Sequence, residues 1–352
     1  MTKAHNIYIH TPFCASKCNY CAFFSHACAN PNWDEYHDKI IHELEYWGQK
    51  LNNPKVPTIF FGGGTPSLMP TDVFGKIISA IYKNFHVVSN AEITLESNPG
   101  TLSENKLKEF CKIGVNRLSI GVQSLDDEKL QFLGRRHSVT DALKLLENAN
   151  NQNIRVSADF IYGLPQQTTQ DVIKMCDEIN KLGLKHCSLY ELTIEKNTPF
   201  GKMNLDMPTN QTMAEMYTAI QDILNLQRYE VSNYALNGFE CKHNQNVWDG
   251  GAYIGIGQGA AGRIFFNDTW YEQLGNNEKF EILTPKERAI EKVLTGLRTM
   301  RGTELTDDIR DVINMTFAKT HPNMLRFTND NRIVATDAGI LLLDDLIVKL
   351  VK

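Results

Sequence analysis

The chain has 352 residues, of which 42% are hydrophobic and 22% are charged, and its net charge is −5. This length suits two average domains or one large α/β barrel with an appendage. The negative net charge argues against a nucleic-acid partner, because a protein that binds nucleic acid normally needs a basic face. We find no apolar signal segment and no window of membrane-spanning length, so we expect a soluble cytoplasmic protein.

Apolar strand-like runs alternate with amphipathic helical stretches up to about residue 195. We predict strands at residues 6–10, 57–61, 92–96, 117–122, 156–161 and 187–192, and helices at 33–50, 71–85, 103–113, 139–151 and 169–182. The strand starts lie roughly 30–50 residues apart, which is typical of repeated βα units. The pattern therefore predicts an α/β fold, a partial (β/α)6 barrel with six strands instead of the closed eight.

Three cysteines follow the first predicted strand, Cys14, Cys18 and Cys21, at C-x3-C-x2-C spacing. Thiolates so spaced can bind three irons of a [4Fe–4S] cluster and leave the fourth iron open to a chelating ligand. Two other interpretations stay open. One is a structural zinc site with Cys28 or His26 as a fourth ligand, and the other is a set of free thiols.

Polar residues follow the ends of several predicted strands. Cys14, the glycine run from Gly62, Glu96 and Gln123 all stand at or just beyond a C-terminal strand end, and Asp159 lies within the fifth strand. Barrel active sites occupy that face because the βα loops build it. We therefore expect these residues to share one mouth, with Asp159 pointing inward.

After residue 192 the pattern loosens. We predict a helix at 211–227, whereas 229–262 is rich in Gly, Asn and aromatics without periodicity and is expected to be a loop-rich lid or binding surface. A second unit begins near Thr284, where a capping box with proline starts a helix that Gly302 ends. A short strand at 332–335 precedes a helix capped by Thr336. The expected domains are 1–200, 201–283 and 284–352, the last small and mainly helical.

The motifs resemble those of radical S-adenosylmethionine (SAM) proteins. The cysteine run is similar to their cluster motif, and G-G-G-T-P at 62–66 is similar to their SAM-contacting glycine motif. One branch, the oxygen-independent coproporphyrinogen oxidases with their heme-chaperone relatives, is singled out by E-S-N-P-G at 96–100, R-L-S-I-G-V-Q-S at 117–124, L-G-R-R-H at 133–137, D-F-I-Y-G-L-P at 159–165 and H-N at 243–244. The resemblance covers nearly the whole chain and implies a winged-helix-like domain at 284–352.

The resemblance implies a [4Fe–4S] cluster on the three cysteines, one-electron reduction of SAM there, and a reductant such as flavodoxin or ferredoxin. The guanidinium of Arg135 suits the SAM carboxylate, and uncovered glycine amides can approach the ligand. A buried carboxylate such as Asp159 requires a partner, either a ligand or a structural ion pair. The positions that match SAM-contacting residues of the family are Tyr8, Gly63, Gly64, Thr65, Glu96, Gln123, Arg135, Asp159 and Leu192.

Within this branch the sequence is similar to the heme chaperones. The oxidases carry a further cysteine two positions after the third, where this chain has Phe23. The chaperone motif H-N-x-x-Y-W is present from His243 with Val247 in place of the tyrosine. The resemblance implies heme contact at His243, with Cys241 as an alternative ligand, and an unidentified heme acceptor. An oxidase that acts on a porphyrin precursor is the alternative.

Overall fold

The computed structural model describes residues 3–275 and 279–352. In chain order the strands are β1 His5–Thr11, β2 Phe13–Cys14, β3 His26–Ala27, β4 Lys55–Gly63, β5 His86–Ser97, β6 Arg117–Gln123, β7 Arg155–Tyr162, β8 His186–Glu191, β9 Gln227–Arg228, β10 Asn233–Ala235, β11 Ala252–Ile256, β12 Gly262–Phe266, β13 Thr269–Gln273, β14 Phe280–Leu283, β15 Thr303–Glu304, β16 Leu325–Phe327 and β17 Arg332–Ala335.

The helices are α1 Trp33–Lys50, α2 Thr71–Asn84, α3 Glu104–Ile113, α4 Asp127–Phe132, α5 Val139–Asn150, α6 Thr169–Lys181, α7 Asn210–Ile223, α8 Lys242–Trp248, α9 Pro285–Gly296, α10 Asp307–Val312, α11 Met315–Thr320, α12 Asp337–Ile340 and α13 Leu343–Leu350. Single 3-10 turns stand at Pro66–Leu68 and Phe200–Lys202.

Six parallel strands form the centre of the main sheet, in the order β1-β4-β5-β6-β7-β8. Helices α1, α2, α3, α5 and α6 stand between successive strands in the chain. The predicted partial (β/α)6 barrel is therefore confirmed, and α1 has the predicted bounds. Strand β5 is longer than expected and begins at His86 instead of residue 92.

Further strands extend the sheet beyond these six. Strand β11 pairs in parallel with β1, with Ile254 opposite Ile7, and β12, β13 and β14 continue from it as antiparallel strands. Strands β10 and β9 extend the other edge behind β8. The expectation of a loop-rich 229–262 is wrong, because this segment contains β10, α8 and β11.

Side chains alternate along the central strands between the helical layer and the barrel interior. In β7, Val156, Ala158 and Phe160 belong to the main hydrophobic core, while Asp159 lines the interior cavity. This alternation follows from the two-residue period of a strand. The sequence places apolar residues outward under the helices and polar residues inward, so the barrel interior is polar where a ligand can enter.

Some predicted helix ends are wrong. Helix α9 ends at Gly296 instead of Gly302, because Thr299 leaves the helix and pairs with Glu230 in an isolated β-bridge. The predicted helix at 211–227 ends at Ile223. The helix capped by Thr336 is divided into α12 and α13, because the backbone of Leu342 departs from helical dihedral angles.

The C-terminal part combines α10–α13 with a three-stranded antiparallel sheet of order β15-β17-β16. The strand at Arg332–Ala335 has the predicted bounds. The domain limits 1–200, 201–283 and 284–352 stay predictions. Within residues 3–275 and 279–352, no helix combines the length and the apolar character needed to cross a membrane.

Candidate functional site

A cavity of about 430 Å³ opens at the C-terminal ends of the central strands. It is lined by the three motif cysteines and by most of the residues predicted to contact SAM: Cys14, Cys18, Cys21, Gly63, Gly64, Thr65, Glu96, Gln123, Arg135, Asp159 and Leu192. The structure thus brings together at one mouth residues that the sequence spreads over about half of the chain. Their individual roles stay predictions.

Contacts to distant segments hold the cysteine loop in place. The backbone amide of Asn19 donates to the Leu133 carbonyl at 3.0 Å, and its side-chain amide donates to the Phe132 carbonyl at 2.8 Å. The Phe200 amide in turn donates to the Asn19 carbonyl at 2.9 Å. The loop that carries Cys18 and Cys21 is therefore fixed against the end of α4 and the 3-10 turn after β8.

The three cysteine thiols surround a space instead of converging on one point. Among the residues that the structure describes, no three His, Cys, Asp or Glu side chains meet closely enough to hold a single metal ion. A zinc ion requires its sulfur ligands at about 2.3 Å from one centre, whereas in a [4Fe–4S] cluster each thiolate binds a different iron. Three thiols on one loop suit such a cluster, and a [4Fe–4S] cluster on Cys14, Cys18 and Cys21 stays the prediction, with zinc as the alternative.

The amides of the glycine turn after β4 were expected to be open, and protein acceptors occupy them instead. The amides of Gly63, Gly64 and Thr65 do not stay open for a ligand: they donate to Glu96 Oε2 at 3.1 Å and to two backbone carbonyls at 2.7 and 2.8 Å. Gly64 is needed because a Cβ there would lie 2.9 Å from Cys14 Sγ and 2.6 Å from a backbone oxygen. The turn therefore holds the cysteine loop close to the strand ends.

Arg135 lies at the centre of the mouth. Its Nη2 donates to Asn98 Oδ1 at 2.5 Å and to the Gly121 carbonyl at 2.8 Å, and its Nη1 lies 3.4 Å from Cys18 Sγ. Asn98 also donates to the Thr65 hydroxyl at 3.0 Å. Sequence reasoning missed Asn98 as a site residue, although it lies within the quoted 96–100 motif and follows a strand end.

Two carboxyl groups face the cavity, Glu96 from β5 and Asp159 from β7, with β6 between these strands. Burial raises the pKa of Glu96 to about 8, and the nearby Asp159 adds to the rise. Burial also raises the pKa of Asp159. The hydroxyls of Ser188 and Ser119 donate hydrogen bonds to this carboxyl at 2.7 and 2.9 Å, and these bonds oppose the rise. A cationic ligand group would restore the ionised form of either carboxyl, so this side of the cavity favours a bound ammonium.

Gln123 and Leu192 occupy the rim of the cavity. Gln123 has a positive φ of 68°, a conformation that is uncommon for a residue with a side chain and occurs often at functional sites. Leu192 is buried in a small apolar cluster that also contains Leu133 and Phe200. These two residues connect the ligand space with the ends of β6 and β8.

A second chamber, of about 250 Å³, lies below the main cavity inside the barrel. The two spaces share lining residues, Glu96, Ser119, Asp159 and Tyr190 among them. The predicted SAM contact Tyr8 lines this lower chamber and not the mouth, and its hydroxyl lies 3.0 Å from His10 Nδ1. The chamber is smaller than the roughly 300–1,000 Å³ of typical small-molecule sites.

The predicted heme-contacting residue His243 lies in this lower chamber. It belongs to α8 instead of a loop, is 5% exposed, and has its Nδ1 2.7 Å from the Thr58 hydroxyl. Burial lowers the pKa of His243 to about 3, with a contribution from Arg117, so the imidazole is neutral. Burial also raises the pKa of the alternative ligand Cys241 to about 12. Heme contact at either residue would require α8 to move.

Comparison with known proteins gives a consistent result. A model of the radical SAM superfamily matches residues 8–179. The chain is 37% identical to the "Heme chaperone HemW" of Escherichia coli (strain K12), over 75% of this chain and 71% of that protein. It is 32% identical to the "Heme chaperone HemW" of Lactococcus lactis subsp. lactis (strain IL1403), over 96% of this chain and 95% of that protein.

A solved structure has the same fold along almost the entire chain. The coproporphyrinogen III oxidase HemN from Escherichia coli superposes with a TM-score of 0.82, covering 99% of this chain and 90% of that protein. Sequence identity in this alignment is 19%. At that level the likeness concerns the fold alone.

Proposed function

Since this chain belongs to the radical SAM superfamily and, within it, to the family of the heme chaperone HemW, we propose that it binds heme and delivers it to acceptor proteins. Radical SAM proteins use a [4Fe–4S] cluster and SAM, and the cavity offers residues for both. The single observation that carries the proposal is the identity of 32–37% with proteins named heme chaperones. Phe23, at the position of the additional oxidase cysteine, agrees with it.

The proposed cluster ligands are Cys14, Cys18 and Cys21, which leaves one iron without a cysteine from the motif. When bound, the cluster supplies one-electron reduction of SAM, a reactivity that belongs to the cofactor. An external reductant such as flavodoxin or ferredoxin would provide the electron. The contribution of this chain is to fix the loop that carries the thiols through Asn19 and the glycine turn.

SAM is proposed to lie between the thiols and the two carboxyl groups. The guanidinium of Arg135 would bind its carboxylate, because a fork of N–H donors matches two oxygens. Glu96 would accept from the amino group, and Asp159 from the ribose hydroxyls. Asn98 is hydrogen-bonded to both Arg135 and Thr65 and holds them at a fixed distance, so it would act as a positioning residue.

His243 is proposed as a heme contact on the basis of the H-N motif. Its burial beside Thr58 predicts that heme binding displaces α8 from its contact with β4. His243→Ala should change the absorption spectrum of bound heme, while Cys241→Ala serves as the control for thiolate ligation. Identical spectra in wild type and His243→Ala would remove this residue from the heme site. The cytoplasmic location also stays a prediction, which cell fractionation tests.

The alternative function is oxidative decarboxylation of coproporphyrinogen. The test is anaerobic incubation of reconstituted protein with coproporphyrinogen, SAM and a reductant, with analysis of the porphyrin product. We expect no protoporphyrinogen, because Phe23 supplies no thiol at the position of the oxidase cysteine. Turnover of the precursor at a rate that depends on SAM would favour the oxidase and overturn the proposal.

A further inference from the structure

Two aromatic rings project into solvent from the end of the cysteine loop. Phe23 is 69% exposed and Phe24 is 49% exposed. Their backbone is nevertheless fixed, because Lys17 Nζ donates to the Phe23 carbonyl at 3.0 Å and His10 Nε2 donates to the Phe24 carbonyl at 2.7 Å. The protein thus holds the main chain of both residues and leaves much of each side chain exposed.

The two rings come from adjacent residues, and that of Phe23 borders the cofactor cavity. Phe23 lines the main cavity beside Cys21. Phe24 packs on the backbone of Gly259, whose φ is +90°, and any side chain at that position would collide with the ring. Adjacent exposed apolar groups on a fixed backbone mark a binding surface more often than single exposed apolar residues do. We call Phe23 and Phe24 the aromatic plate.

We propose that the aromatic plate is the surface on which the flat macrocycle of heme stacks at the mouth of the barrel. This inference rests on the proposed function, and it names a contact separate from His243. A planar π-system packs favourably on aromatic rings. With α8 in place the lower chamber of about 250 Å³ is a small space for so large a ligand, so contact with His243 requires α8 to move, whereas the plate is already open to solvent.

Charge around the plate fits heme better than an uncharged ring. Lys17 lies directly behind Phe23, and its ammonium is occupied within the loop, where it also donates to Ser25 Oγ at 2.7 Å and to Cys21 Sγ at 3.9 Å. The exposed Arg136 reaches the cysteine loop from the other side, where its Nη1 donates to the Ala15 carbonyl at 3.5 Å. The two heme propionates are carboxylates, and the exposed Arg136 offers them a cation in a chain whose net charge is −5. Both the apolar and the anionic parts of heme therefore find partners here.

The decisive variant carries both substitutions, Phe23→Ser and Phe24→Ser, in cluster-containing protein. Tyr82→Ser is the control. Tyr82 is 54% exposed on α2, away from the cavity. We expect the pair to weaken binding of both heme and iron-free protoporphyrin by about tenfold, the equivalent of one good stacking contact. Tyr82→Ser should leave both affinities unchanged. Phe24→Leu keeps apolar packing on Gly259 and is the second variant if the pair loses its cluster.

The two probes separate stacking from iron ligation. Protoporphyrin has no iron, so the plate variants should weaken its binding while His243→Ala should not. Arg136→Ala should weaken the binding of protoporphyrin but not that of its dimethyl ester, which lacks the carboxylates.

If wild type binds heme saturably and the plate variants keep wild-type affinity, the inferred stacking surface is wrong and the proposed function stands. If the plate variants bind heme with unchanged affinity but no longer transfer it to an acceptor protein, the plate is a contact for that protein, which also overturns this inference. Absence of saturable heme binding in wild type would overturn the proposed function itself.

Discussion

Arg135 Nη1 lies 3.4 Å from Cys18 Sγ, although 117 positions separate the two residues in the chain. The contact joins the loop after α4 to the cysteine loop and places a fixed positive charge beside a thiol that is proposed to bind iron. The same guanidinium is held by Asn98 and by the Gly121 carbonyl. The cluster site and the proposed SAM carboxylate site are therefore one structural unit.

The first prediction concerns SAM affinity. Arg135→Ala should weaken SAM binding by about 10- to 100-fold, since hydrogen bonds to charged groups contribute roughly 1.5–3 kcal/mol. Equilibrium binding to reconstituted protein measures this, with iron and sulfide content determined in parallel. Arg326→Ala, at an exposed position on β16, is the control and should bind normally. Unchanged affinity in Arg135→Ala would exclude this residue from the SAM site.

The second prediction concerns the cluster. Replacement of Cys14, Cys18 or Cys21 by alanine should abolish a cluster of about four irons and four sulfides per chain. Cys111→Ala is the matched control, because that thiol is half-buried on α3 and does not line the cavity. Stoichiometric zinc without labile sulfide in the wild-type protein would contradict the account.

The third prediction follows from the pKa of Glu96. The folded chain raises it to about 8, above the unfolded value of about 4.3. Between pH values of about 4.3 and about 8 the Glu96 carboxyl is protonated in the folded state and ionised in the unfolded state. Its contribution to the free energy of unfolding therefore falls as pH rises and levels off above about pH 8. Glu96→Gln removes this cost, which is on the order of a few kcal/mol at most because the carboxyl faces an open cavity. The charged neighbours are Asp159 and Arg117.

Denaturant unfolding of the SAM-free, cluster-free protein tests this. The stability gain of Glu96→Gln over wild type should be small at pH 5 and should grow up to about pH 8. In the same variant SAM binding should weaken, because an amide accepts from an ammonium less strongly than a carboxylate does. A stability difference that stays constant from pH 5 to pH 9 would show that Glu96 titrates normally.

The fourth prediction concerns the glycine turn. Gly64→Ala should impair cluster assembly, because the added Cβ would lie 2.6 Å from the Phe13 carbonyl oxygen and 2.9 Å from Cys14 Sγ. Gly75→Ala is the control, since its nearest neighbour would be 3.8 Å away. Iron and sulfide content after reconstitution measures the effect. Full cluster content in Gly64→Ala would mean that the turn and the cysteine loop are not packed as described.

Local patterns predicted the central barrel well, because each βα unit carries its own signals. Helix α1 matches its prediction from Trp33 to Lys50, and the strand ends converge because parallel strands share a direction. Long-range pairing left no such signal. Strand β11 is five residues long and is positioned by pairing with β1 at the other end of the chain. The seven-residue α8 is likewise too short for a clear helical period, so His243 was expected in a loop.

The site shows the same division. Cys14, Glu96 and Asp159 were predictable because they are polar groups at or near strand ends. The amides of the glycine turn were expected to be open and are instead engaged by carbonyls and by Glu96. Such hydrogen-bond pairing depends on which loops meet across the mouth, and neither secondary-structure propensity nor motif spacing predicts it. Asn98 was missed for the same reason, since its partners Arg135 and Thr65 come from two other loops.

Heme binding by the reconstituted protein tests the central claim most directly. Purified protein with its cluster assembled should be titrated with heme under anaerobic conditions, and the absorption change should be followed to saturation. The account predicts saturable binding with a defined stoichiometry in wild type, and weaker binding when Phe23 and Phe24 are replaced. Heme absorption that rises linearly without saturation, together with conversion of coproporphyrinogen to protoporphyrinogen, would contradict it.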